Sequence, residues 1–127
     1  MSYYFAKTLN VPFDQAVEIT IAALKQRGFG VLTRIDVKST LKEKLDVEFR
    51  PYVILGACNP RMAHQALQAE DKIGTMLPCN VIVQELDGKS EVAAVDPVAS
   101  MQAIDNDTLA AIAMKVRDEL KATIQSL

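Results

Sequence analysis

Two short segments carry the residue types that could do chemistry. The first is Cys58-Asn59-Pro60, followed four residues later by His64, the only histidine of the chain. The second is Pro78-Cys79-Asn80, which holds the other of two cysteines. Each sets a Cys-Asn pair beside one end of an apolar run, residues 52–57 and 81–86. A thiol just ahead of a helix feels the positive end of the helix dipole and its free N–H groups. Both favour the thiolate, and with it nucleophilic, redox or metal-binding chemistry. His64 falls one to two turns into the helix that begins at Pro60, where its ring could approach the strand end. Cys58 and His64 are therefore the candidate catalytic pair. Cys58, Asn59, Pro60, His64, Pro78, Cys79 and Asn80 are the candidate ligand-binding set. Cys58, His64 and Cys79 would make a three-ligand metal site with one open position.

Each residue also has a plainer role. Free cysteine is among the most buried residue types and often only fills space. His64 could be a half-buried helix residue bonded to a backbone carbonyl. Asn59 and Asn80 suit caps and turns, and Asp96-Pro97 a strand end. Three scattered ligands without C-x-x-C or H-x-x-x-H spacing are a weak metal signal. Whether the thiols meet depends on topology. Antiparallel pairing of their strands makes Cys58 and Cys79 neighbours. A parallel crossover parts them by roughly 15–25 Å at about 3.3 Å per residue. The intervening helix permits both. A meeting would allow a disulfide, a reactive dithiol or the metal site.

The elements that must position these residues follow from local patterns. Residues 3–9 read as a strand. Asn10 and Pro12 open a helix that runs to Arg27, with Gly28 as its stop. Residues 29–35 read as a strand, and Asp36 caps a shorter helix whose apolar positions are Val37, Leu41 and Leu45. Residues 52–57 form a strand, and residues 60–70 a helix behind Asn59 and Pro60, stopped near Gly74. Residues 81–86 and 91–95 form a hairpin about Asp87-Gly88. The last helix begins near Asp105 or Asp107, with an apolar stripe through Leu109, Ile112, Val116, Leu120 and Ile124. The class is α+β, a mainly antiparallel sheet with its long helices on one face, in the order β-α-β-(α)-β-α-β-β-α.

Composition excludes more than it assigns. The chain has 127 residues, 50% of them apolar, 24% charged, with a formal net charge of −2. This suits one domain over residues 1–127 with a real core and neither disorder nor a basic nucleic-acid surface. No signal-peptide pattern and no run of about 20 apolar residues occurs, so a cytoplasmic location is expected, with both thiols reduced. Nucleotide-binding glycine motifs and G-x-S-x-G are absent, and nothing in the sequence requires a cofactor. Ser39, Ser90, Ser100 and Ser126 lie far along the chain from His64. The lysines between Lys38 and Lys44 read as a solvated helix face, with an anion site as the alternative. The strand at 52–58 is apolar on both faces, so its second face needs covering by local helices or by a second copy of the chain. The expectation is a homodimer.

The ordered set Asp36-Val37-Lys38 with Leu41 to Leu45, Cys58-Asn59-Pro60 with Ala63, Ala66 and Leu67, Leu77-Pro78-Cys79-Asn80-Val81, and Val95-Asp96-Pro97 resembles the domain-of-unknown-function 302 family. The resemblance spans about residues 3–127. It implies a two-layer α+β fold similar to the TATA-binding-protein class and frequent dimer formation. It transfers no activity, and the fold likeness carries no DNA function. The residues themselves leave two readings: a homodimeric module binding a small ligand or partner near the two Cys-Asn turns; or a thiol or redox protein using Cys58 with Cys79 and His64, or a Cys-Cys-His metal site. Whether the chain is an enzyme is left open, with binding without catalysis the leading expectation.

Overall fold

A computed structural model describes residues 2–127. Local chemistry sets most element ends. Strand β1 is Tyr4–Leu9, and helix α1, Phe13–Gln26, follows Pro12. Strand β2, Gly30–Asp36, leads into α2, Val37–Leu45, where Asp36 accepts the backbone N–H of Ser39 at 2.9 Å. Strand β3 is Tyr52–Cys58, and α3 is Pro60–Ala69. A 3-10 turn, Asp71–Met76, joins α3 to β4, Cys79–Leu86. Asp87 and Gly88 both take positive φ, 52° and 75°, and close the hairpin to β5, Lys89–Val95. That pair of left-handed residues matches the twist of the two strands. Helix α4, Pro97–Ser100, and helix α5, Asp107–Ser126, complete the chain, α5 capped by Asn106. The short α4 and the 3-10 turn are elements the sequence reading lacks, whereas α3 ends at Ala69, within one residue of the expected end.

The five strands form one antiparallel sheet in the order β1-β5-β4-β3-β2. The expected class and element order hold. Val53, Leu55, Val81, Val83 and Val92 turn to one face and are buried against Val17 and Leu24 of α1 and Leu120 and Ile124 of α5. Lys7, on β1, donates to the carbonyls of Gln125 and Leu127, a cation at the negative end of α5. A second, smaller cluster, Ala66, Ile73, Leu109 and Ile112, forms where α3 and the 3-10 turn meet α5.

The other face of the sheet carries no helix-packed core. Cross-strand partners make a row over all five strands: Ile35 faces Ile54, Ile54 faces Ile82, Ile82 faces Ala93, and Ala93 faces Ala6. Ile35 is 49% exposed, and Ile54, Ile82 and Ala93 are partly so. The apolar second face expected of β3 is therefore real. Helices α1 and α5 pack on the opposite side. No helix of the described residues is long and apolar enough to cross a membrane.

Candidate functional site

The site is built where β3 and β4 end and begin. The two strands pair antiparallel, with Ala57 opposite Cys79. Cys58, one residue on, therefore stands beside the start of β4, which resolves the topological choice in favour of neighbouring thiols. Both cysteines are free; Cys79 is buried and Cys58 partly exposed. Asn59 takes an extended conformation, and its side-chain oxygen accepts the Met62 N–H at 3.2 Å, capping α3. Pro60 takes the first helical position, where an absent N–H costs nothing. The Leu77-Pro78 bond is cis.

Glycine at two places lets these turns approach. A Cβ on Gly56 would lie 2.7 Å from Pro78 Cγ and closer still to Thr33 Oγ1. Gly28 takes φ +85°, and a Cβ there would sit 3.1 Å from Asn59 Nδ2. The loop after α1 thus presses on the α3 cap, and the loop before β4 presses on β3.

Behind the turns lies an apolar cavity of about 40 Å³ between the two core clusters. That is room for about three water-sized bodies, at roughly 10–15 Å³ each. Four alanines, Ala57, Ala63, Ala66 and Ala113, leave the gap between β3, α3 and α5. Phe29 closes one side, and Pro97 and Met101 another. Cys58, Asn59, Pro78 and Cys79, four of the seven candidate ligand-binding residues, are in this wall.

The other three are elsewhere. Pro60 is exposed and outside the wall. His64 is exposed on α3 and does not line the cavity, so its ring does not approach the strand end as the helical spacing suggested. It is also not half-buried. Asn80 is exposed on the open face of the sheet, opposite Gly56, in a trough with Tyr4, Tyr52 and Ile82. Among the described residues no three or more of His, Cys, Asp and Glu gather to hold a metal ion, so the structure does not bring Cys58, His64 and Cys79 to one point.

Burial pushes the Cys79 thiol up from its ordinary value of 9.0 to about 11, and the nearby negative charge of Cys58 pushes it the same way. The neutral thiol is the form an apolar wall favours. Cys79 is therefore a poor thiolate nucleophile near neutrality. On α2, Lys42 contacts Asp46 at 2.7 Å and Glu48 at 3.0 Å, so that lysine is neutralised within its own surface and the patch is a solvated face.

Asp96 is more than a strand end. It is 7% exposed and caps α4 through the N–H groups of Val98 and Ala99. Its other oxygen accepts Arg117 Nε at 3.2 Å. Asp96-Pro97 repeats the cap-then-proline signature of Asn59-Pro60. Read that way, it would have revealed α4 and the residues it brings to the cavity, Pro97 and Met101, which sequence reasoning missed.

The family model described as "Domain of unknown function DUF302" matches residues 5–127. Among solved structures the chain is similar to the "uncharacterized conserved protein DUF302 from Bacillus stearothermophilus", at 28% identity, covering 98% of each chain with a TM-score of 0.92. No curated protein matches the chain.

Proposed function

The chain belongs to the DUF302 family, whose description names no activity, and from its own geometry we propose that it is a homodimeric module that binds a small ligand in the cavity behind the two Cys-Asn turns. The observation that carries this reading is the cavity itself. Well-packed cores hold few voids, whereas this one is walled by two independent turns that glycines bring together. Its size limits the occupant to a few heavy atoms unless the wall moves.

Support for the second copy comes from the open face. Five strands about 4.8 Å apart and about 20 Å long present roughly 500 Å² of sheet, so two facing copies bury on the order of 1,000 Å², where specific interfaces begin. The row runs from large to small, Ile35 and Ile54 at one end and Ala93 and Ala6 at the other. A twofold axis through its centre sets isoleucines over alanines. The polar edge is satisfied in advance: Arg50 donates to Gln84, and Gln84 donates to Glu91, each at 2.9 Å. Polar groups already paired cost less to cover.

Xenon tests the cavity, because it enters apolar voids without needing polar contacts. Under xenon pressure the methyl resonances of Ala57, Ala63 and Ile112 should shift together, and Ala63→Phe should abolish the shift. Unmoved methyls in the folded parent protein would remove the cavity reading. Sedimentation equilibrium tests the assembly: a dimer is expected, made monomeric by Ile82→Lys. A monomeric parent, or a dimer indifferent to that change, would remove the dimer reading.

Thiol chemistry at Cys58 is the second reading. Two free thiols in one cavity wall support it, and the pH dependence of Cys58 alkylation tests it.

A further inference from the structure

The cavity wall concentrates sulfur. Four of its 16 lining residues carry it: Cys58, Met62, Cys79 and Met101. The chain has only five methionines and two cysteines among 127 residues. The four come from separate places, the end of β3, the first turn of α3, the start of β4 and the residue after α4. Among the described residues no histidine, carboxylate, lysine or arginine lines the cavity. Its one side-chain amide, Asn59, already accepts the Met62 N–H.

We propose that the cavity binds one monovalent soft metal ion, copper(I) or silver(I), through the Cys58 sulfur and the thioethers of Met62 and Met101, with Cys79 beside them. The inference rests on the cavity being a ligand site, and it names the ligand. Thiolate and thioether donors select copper(I), whereas zinc takes imidazole, carboxylate or several thiolates and calcium takes oxygen. Charge points the same way. Thioethers are neutral, so one thiolate cancels the single charge of the ion, and a neutral assembly is what an apolar cavity holds at least cost. A divalent ion on the same donors would leave a net charge buried. Methionine has three rotatable bonds and can close on an ion without moving the backbone. On binding, the Cys58 S–H bond breaks, an Sγ–metal bond forms, and the proton leaves to solvent where Cys58 is partly exposed. The oxidation state of the metal is unchanged, so the step needs no oxidant or reductant.

The test is a titration of fully reduced protein, without oxygen, against the coloured copper(I)–bicinchoninate complex. One copper(I) per chain should transfer to the protein. X-ray absorption of the loaded protein should show a shell of sulfur alone. Met62→Leu with Met101→Leu conserves volume and should keep the fold. Because outer-sphere changes alone cost 10–100-fold in metal affinity, loss of two donors should weaken binding at least about tenfold. Failure of the protein to take copper, or a double leucine variant that binds as tightly as the parent, would overturn the metal site. If xenon still shifts the cavity methyls in that case, the ligand-site reading stands and only the metal falls; if neither enters, both fall.

Discussion

Asp96 holds Arg117 with one carboxylate oxygen, 3.2 Å from Nε, while its other oxygen caps α4. One half-buried ion pair therefore ties the end of β5 to α5 and fixes the segment that supplies Pro97 and Met101 to the cavity. Arg117 also lies over the Phe5 ring, 5.5 Å from its centroid. Asp96→Ala removes a cap and leaves the guanidinium without its partner. Urea denaturation should show a loss of about 2–3 kcal/mol, the cap supplying about 1 and the stranded partner the rest. An effect under about 0.5 kcal/mol would mean that the carboxylate does not organise this wall.

The two thiols should separate cleanly by reactivity. Cys58 is partly exposed, whereas Cys79 is buried and its thiol is held up to about 11. Only the thiolate reacts. Iodoacetamide at mildly alkaline pH should therefore label Cys58 first, with Cys79 modified only on unfolding, as peptide mass mapping would show. The rate–pH profile at Cys58 bears on the thiol reading. A nucleophile activated by the α3 N-terminus reacts at a plateau reached below the free-thiol value near 8.5. A rate still climbing through that pH would leave thiol chemistry without support.

Stability should fall in alkali for a stated reason. The folded protein holds the Cys79 proton more tightly than the unfolded chain, since its thiol rises from 9.0 to about 11. The resulting stabilisation is complete below about pH 9 and lost as pH climbs from about 9 to 11. Two pH units correspond to on the order of 2–3 kcal/mol. Tyrosines and lysines titrate in the same window, so the measurement is the difference in slope between the parent and Cys79→Ala. Parallel slopes would show that Cys79 is not the group responsible.

Gly56→Ala should destabilise the junction of β2, β3 and the Pro78 turn. The added methyl would meet Pro78 Cγ at 2.7 Å and Thr33 Oγ1 more closely. Overpacking of this kind costs about 1–3 kcal/mol. Combining it with Thr33→Ala removes the Oγ1 contact but leaves the Pro78 clash in place, and should recover only part of the loss. Full recovery by the second change would place the strain on Thr33 alone.

The sequence spoke clearly wherever the cause was local. Asp36 and Asn59 cap the helices they precede, and Asp87-Gly88 turns the hairpin, because each interaction is made within a few residues. The fold class followed from the same signals. The cavity did not, because its wall joins residues that only tertiary pairing brings together. Cys58 and Cys79 could be placed side by side only once β3 and β4 were known to run antiparallel. Met62 and Met101 have no spacing that marks them as a pair. His64 sits at a spacing that fits the strand end, yet the packed stripe of α3 runs through Met62 and Ala66 and leaves the ring in solvent. Asn80 shows the limit of reading a repeated dipeptide: one Cys-Asn caps a helix, and the other sends its asparagine to the far face of the sheet.

The strand order also governs when the sheet can be completed. β1 pairs with β5 and with no other strand, Tyr4 against Val95 and Leu9 against Ser90. During synthesis β1 therefore has no sheet partner until β5 has emerged. At about 5–20 residues per second, that is a wait of several seconds with Phe5 and Leu9, which pack on the core in the folded protein, uncovered. β1 is thus the strand most open to mispairing, and the pairing that ends the risk joins the two strands most distant along the sequence.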